Sequence, residues 1–301
     1  MSSDLKNLKL RARIIQAIRT FFETRGFLEV ETPLRIPANA PEEYIEPCRS
    51  GELYMHTSPE LCMKRLLSRG HDRIFQICRC WRNEERGDRH IPEFTMLEWY
   101  RTQSNYEALM ADCEQLLHYV ADSCLSTNAI SYNSIYIKLD EAFTRVSVRD
   151  AFNAFTGVSM GEAVRDRSFD EFMVTRIEPA LIQDRPVLLM DYPIELAALA
   201  RPKPGDPSVA ERFELYAGGL ELANGFSELN DPVEQRERFR EANQSRLKNG
   251  LQALPIPEPF LEELANMPPS AGIALGVDRL VMLLTGAMRI DEVIAFTPEE
   301  L

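Results

Sequence analysis

Residues 72–82 (DRIFQICRCWR) constrain this chain more than any other stretch. Apolar and polar side chains alternate along them, the period of a strand with one face buried. Residues 92–100 (PEFTMLEWY) repeat the pattern. The intervening ERGDRHI is polar and contains a glycine, so the pair reads as an antiparallel hairpin with a long loop. Upstream, residues 8–25 carry Ile14, Ile15, Ile18, Phe21 and Phe22 at three- and four-residue steps, the spacing of an amphipathic helix. Gly26 is its expected stop. Residues 27–30 read as a strand entering Thr32-Pro33. Residues 106–124, 148–155 and 169–181 read as helices, a mainly helical middle over about 105–185. Residues 186–193 and 210–226 read as strands, and the Pro- and Gly-containing 200–209 as a loop. A charged helix over 232–249, a short strand over 271–275 and a helix over 277–285 complete the order. No repeat and no clear linker interrupts it. The expectation is an α+β fold, an antiparallel sheet flanked by helices, in one domain over 1–301.

Composition narrows the function. The 301 residues suffice for a sizeable core, and the net charge is −13. A chain that held long nucleic acid by its phosphates would be basic, so broad nucleic-acid binding is disfavoured. No apolar run approaches the roughly 18 residues of a membrane span, and the N-terminus lacks the apolar core of a secretory signal. A soluble, cytoplasmic protein with no membrane partner is expected. Of six cysteines only Cys78 and Cys80 are close. A C-x-C on a strand points both thiols one way, but no second Cys or His pair stands at zinc-finger spacing. Reduced thiols, several of them buried, are the expectation. His56, His71 and His118 belong to no motif and are read as structural.

Three further stretches carry chemistry. Trp81-Arg82-Asn83-Glu84 is followed by Arg89-His90-Ile91-Pro92-Glu93-Phe94 and, on the same strand, Glu98-Trp99-Tyr100. Glu221-Leu222-Ala223-Asn224-Gly225-Phe226-Ser227-Glu228 comes later, then Gly272-Ile273-Ala274-Leu275-Gly276-Val277-Asp278-Arg279. With the first helix and Thr32-Pro33, these resemble motifs 1, 2 and 3 of class II aminoacyl-tRNA synthetases. The segment 221–229 resembles the lysyl branch. The likeness covers nearly the whole chain and implies the class II catalytic fold, with ATP-dependent formation of an aminoacyl-adenylate.

Adenylate formation brings a carboxylate to an anionic phosphate, so cations are needed at the reacting oxygens. The guanidinium of Arg82 can bridge both groups. By resemblance it contacts the α-phosphate and the amino-acid carboxylate. Glu84, read as sharing its strand face, would recognise the adenine amino group. Phe94 and Arg279 would sandwich adenine, a cation–π arrangement. Arg89 and His90 are candidates for the γ-phosphate. Glu214 and Glu221 match the family's metal-binding carboxylates and would hold Mg²⁺ on the phosphates. In the amino-acid pocket, Glu60 would face the backbone amino group and Asn224 the carboxylate. Glu98, Tyr100 and Glu228 would surround an ε-ammonium. An acidic pocket calls for a ligand with ammonium groups and disfavours an asparagine-synthesising relative.

Two departures from the synthetases shape the expectation. Motif 1 begins almost at the N-terminus, with no anticodon-reading domain before it. This short form resembles the elongation factor P lysine ligases, synthetase paralogues that attach lysine or (R)-β-lysine to a lysine of that factor. The resemblance implies elongation factor P as acceptor, a homodimer formed through the motif 1 helix, and no stable tRNA binding. Ala274 stands where lysyl-tRNA synthetases carry glycine, and its methyl would narrow the space for an α-amino group. Ile91 replaces an asparagine that serves the adenine side. The alternatives are a truncated lysyl-tRNA synthetase, charging tRNA or releasing free adenylate, and a non-catalytic regulatory paralogue.

Overall fold

The apolar stripe of the first helix accounts for its position. The computed structural model describes residues 5–301. Helix α1, Leu5–Glu23, buries Ile14, Ala17, Ile18, Phe21 and Phe22. Gly26 adopts φ +76°, a left-handed conformation that glycine enters without steric cost, and so ends the helix. Phe22 then stacks on Phe75 at 4.9 Å and meets Trp99 at 5.1 Å.

Eight strands form the main sheet. They are β1 Leu28–Glu29, β2 Arg73–Trp81, β3 Glu93–Thr102, β4 Thr144–Ser147, β5 Val187–Met190, β6 Arg212–Ala217, β7 Leu220–Ser227 and β8 Ser270–Gly276. Their order is β1-β2-β3-β8-β7-β6-β5-β4. The six central strands, β2 to β5 in this order, pair antiparallel as expected. The two outermost pairs, β1 with β2 and β4 with β5, are parallel. Helix α2 is Glu60–Ser68, α3 Tyr106–Leu125, α4 Val148–Phe155, α5 Pro232–Lys248 and α6 Val277–Thr285.

Alternation decides which residues each face receives. Leu97, Trp99, Ala223, Phe213, Ile273 and Leu275 face the main core, which α1, α3 and α6 cover. The residues between them face the other way, toward a cleft. A one-residue slip in register would exchange the two sets, so burial of one face secures the other. The buried Asp278 ties three elements together. It accepts from Arg11 Nη1 of α1 at 2.5 Å and from the Thr95 backbone N–H of β3 at 2.7 Å.

Two details correct the sequence reading. Residues 202–203 and 206–210 pair as a small hairpin where a loop was expected, turning at Gly205 with φ +88°. The helix expected over 169–181 is broken by a π-helical stretch, Met173–Ile177, followed by Pro179, which has no N–H for a regular ladder. The apolar face of α1 is buried against the core of its own subunit. Among the described residues no helix is long and apolar enough to cross a membrane.

Candidate active site

The register assembles the site. Gln76, Glu98, Ala274, Asn224 and Glu214 stand opposite one another across β2, β3, β8, β7 and β6. The neighbouring row is Tyr100, Gly272, Phe226 and Arg212. Glu60, Arg82, His90, Phe94, Glu98, Tyr100, Asn224, Ala274 and Arg279 all line one cavity of about 290 Å³ above these rows. A second cavity, of about 1030 Å³, shares Glu42, Leu199, Glu221, Asn224 and Phe226 with it, so the two join into one cleft.

The amino-acid end is buried and acidic. Glu98 is 1% exposed and accepts from Ser58 Oγ at 2.5 Å and Tyr100 OH at 2.8 Å. Burial, and then the nearby Glu60, hold its carboxyl well above the usual range. Glu228 is 1% exposed, and burial pushes it up to about 8 despite the opposing charge of Lys64. Lys64 was missed by the sequence reading. Its Nζ lies 2.5 Å from Glu228 Oε2 and 2.6 Å from Glu60 Oε1, fully buried. Burial works against the Lys64 charge, but Glu228 and Glu60 more than offset it and raise its pKa. The ammonium is therefore the resting form. Sequence spacing could have shown half of this, because Glu60 and Lys64 are i and i+4 on α2. Gly272 makes room for the row: a Cβ there would overlap Tyr100 Cε1 and Glu228 Oε1.

The phosphate end holds the cations. Arg82 follows directly on β2, and its guanidinium carbon lies 5.2 Å from the Phe94 ring centroid. Its Nε is buried without a partner. Arg279, on the first turn of α6, bonds Glu221 O at 2.8 Å and meets His90 Nε2 at 2.6 Å. Arg89 donates to Gly219 O at 2.7 Å. Arg82 covers Phe94, and Arg279 is held by Glu221 and His90. One expectation changes. Glu84 does not share a strand face with Arg82: β2 ends at Trp81, and Glu84 is exposed in a turn with φ +64°. Glu85 and Glu42 line the cleft instead. Burial lifts Glu42 to about 7, with Arg82 opposing. Ile91 is buried in the core, so no polar side chain stands there.

A β-bulge pairs the two predicted metal carboxylates. The register shifts after Leu215, so Tyr216 opposes Glu221 and Leu222 is the extra residue. Without the shift, Glu221 would fall on the core face. Glu214 Oε2 accepts from Tyr192 OH at 2.5 Å and Tyr216 OH at 2.7 Å, and Oε1 from Arg212 at 2.6 Å. That leaves one lone pair on Oε1 for a cation. Glu221 is more open, its side chain 41% exposed. Desolvation of the part that faces the cleft, and then the neighbouring Glu214, raise its pKa, and a divalent cation would relieve that repulsion. Two carboxylates with open lone pairs fit Mg²⁺, which takes few protein ligands and completes its shell with phosphate and water. Arg212, also missed, holds Asn224 Oδ1 at 3.1 Å and packs 4.3 Å from the Tyr192 ring.

The chain is similar to known proteins over nearly its whole length. The family described as tRNA synthetases class II (D, K and N) matches residues 2–300. The chain is 40% identical to the elongation factor P–(R)-β-lysine ligase of Pectobacterium atrosepticum, over 99% of this chain and 97% of that protein. It is 41% identical to the protein of the same name from Enterobacter sp. strain 638, and 42% identical to that of Haemophilus influenzae. Each of these two alignments covers 98% of this chain and 96% of the relative.

Proposed function

The chain belongs to the class II tRNA synthetases of the D, K and N type, and from that premise we propose that it activates (R)-β-lysine or lysine with ATP and transfers it to a lysine side chain of elongation factor P. The observation that carries this reading is the buried acidic pocket of Glu60, Glu98 and Glu228, only partly neutralised by Lys64. Such a pocket suits a ligand with more than one ammonium group. The curated relatives' names supply the acceptor.

The residues divide the work. Glu98, Tyr100 and Glu228 take the distal ammonium, Glu60 the other amino group, and Asn224 the carboxylate. The carboxylate oxygen attacks the α-phosphorus, an O–P bond forms, and pyrophosphate leaves. Arg82 and Arg279 stabilise the charge that develops there, while Phe94 stacks on adenine. Arg89 and His90 steady the terminal phosphate. Mg²⁺, held by Glu214 and Glu221, would neutralise phosphate charge. The neutral amine of the acceptor lysine then attacks the acyl carbon, an amide forms, AMP leaves and one proton is lost. Residues 1–301 act as one catalytic unit in the cytoplasm. A homodimer would be formed through the motif 1 region, helix α1 and the segment after it, where Leu28 and Leu34 are exposed.

The test is an acceptor assay read by mass spectrometry, with purified elongation factor P and tRNA offered in parallel. A mass increase of one lysyl residue on the factor, with tRNA left uncharged, is the expected result. Efficient tRNA charging would replace this reading with that of a synthetase; no ATP–pyrophosphate exchange at all would make the chain a binding protein.

Two predictions arise from the pocket. Below the raised pKa of Glu98 the free pocket holds a proton, and binding an ammonium expels it. Affinity for the amino acid should therefore rise with pH, by up to about tenfold per unit for each proton released, and level off once the carboxyl has ionised. Glu98→Gln should reduce that slope as well as weaken binding. Calorimetry across pH in two buffers measures both affinity and proton release, and a flat wild-type profile would contradict the assignment.

Ala274 stands between Glu98 and Asn224 and lines the cleft. A β-amino acid carries its amino group one carbon further along and avoids the methyl. Ala274→Gly should shift the kcat/KM ratio toward α-lysine by roughly 10- to 200-fold, the range for one methyl of steric difference. An unchanged ratio would remove Ala274 from the specificity argument.

A further inference from the structure

Cys78 and Cys80 are not idle thiols of β2. They share one face of the strand with Gln76, opposite Met96 and Phe94. The connection before α2 brings His56 to the same place, where the Trp81 backbone N–H donates to His56 O at 3.1 Å. Cys78 Sγ and Cys80 Sγ lie 3.9 Å apart, and Cys80 Sγ is 3.8 Å from His56 Nε2. All three donor atoms fall within 4.8 Å of one another, and no other such group of three His, Cys, Asp or Glu residues occurs among the described residues. In a tetrahedral zinc site, metal–sulfur and metal–nitrogen bonds of roughly 2.3 and 2.0 Å place neighbouring donors about 3.5–3.8 Å apart. These donors already stand close to that spacing.

A second observation points to a ligand. A buried polar atom here, Gln76 Oε1, has no hydrogen-bond partner, in a residue 2% exposed. Orphaned buried atoms are uncommon and mark places that water or an ion satisfies. Cys78 is only partly buried and gives a way in.

We propose that His56, Cys78 and Cys80 form a binding site for a thiophilic cation of the Zn²⁺ class, with the fourth position taken by an oxygen from Gln76 or water. On binding, two S–H bonds break, two metal–sulfur bonds form, and two protons go to solvent. The imidazole binds through Nε2, and its ring proton moves to Nδ1. Nε2 now lies 2.7 Å from Arg79 O, so that contact is given up and the affinity falls below that of a four-ligand structural site. Soft sulfur donors separate this site chemically from the oxygen pair Glu214 and Glu221, which suits hard cations. The bound ion would pin the segment carrying Ser58 and Glu60 to β2, alongside the amino-acid pocket.

The test uses the full chain, reduced and stripped of metal, titrated with Co²⁺ as a spectroscopic probe and then with Zn²⁺. One Co²⁺ per chain, with thiolate-to-metal charge-transfer absorption and full displacement by Zn²⁺, is expected. Cys80→Ser should abolish the charge-transfer band and weaken Zn²⁺ binding by more than the roughly 10- to 100-fold that loss of an outer-shell partner costs. Cys48→Ser and Cys62→Ser, thiols elsewhere, should change neither. No charge-transfer band in the wild type would overturn the site without reference to any variant. So would a band that survives Cys80→Ser in a protein with an unchanged melting curve, or one lost with Cys48→Ser.

Discussion

Arg82→Ala is expected to lower ATP–pyrophosphate exchange by about 100-fold or more while leaving thermal stability close to wild type. Losing one preorganised cation at a reacting phosphate has a cost of that order. The structure explains why the fold should tolerate it. Arg82 lies just beyond β2, its Nε makes no hydrogen bond, and its nearest carboxylate, Glu85, is 3.7 Å away. Little structure depends on the guanidinium, which packs over Phe94 and waits for an anion. Pre-steady-state exchange beside a thermal melt separates the two readouts. Near-normal exchange would remove Arg82 from the chemistry, and a large fall in melting temperature would make it structural.

Lys64→Met should destabilise the protein by about 3–5 kcal/mol, the cost of breaking a buried ion pair by removing one partner. Lys64 Nζ is the cation shared by Glu228 and Glu60, and Glu228 Oε1 already has no donor. The sign of the pH dependence follows from Glu228. Burial raises its folded pKa, to about 8 even with Lys64 present, and loss of the ammonium raises it further. The folded variant therefore holds a proton that the unfolded chain releases near the ordinary carboxyl value of 4.5. Stability is retained below that value and lost as pH rises through the folded pKa. The defect should widen between acidic and mildly alkaline pH. Lys64→Met with Glu228→Gln should recover much of the loss, since both ends of the pair are then uncharged. Urea melts at several pH values would test this, and a single variant as stable as wild type at alkaline pH would show the pair to be dispensable.

Much of the site was legible because it lies on regular elements. Glu98 and Tyr100 share a face by alternation alone, and the hydrophobic partners of that strand, Leu97 and Trp99, announce which face is buried. Glu84 shows the limit of the same rule. Alternation carried past Trp81 would place it beside Arg82, but the strand has ended and the backbone turns through a left-handed residue. Glu221 fails and succeeds for a related reason: simple alternation puts it on the core side, and one extra residue at Leu222 returns it to Glu214.

What the sequence determined by itself was local: the hairpin around the motif 2 loop, the stop at Gly26, the faces of β2, β3 and β8, and the order of motifs that marks the family. These depend on periodicity and backbone preference within a few residues. Only the tertiary structure decided which distant charges meet. It brought Lys64 to Glu228, Arg212 to Asn224, Arg82 over Phe94, and His56 to the thiols of Cys78 and Cys80. Each of these contacts joins residues on different elements, and their meeting depends on sheet order and register. A charged or thiol side chain carries no record in its own neighbourhood of the partner that the far end of the chain will bring.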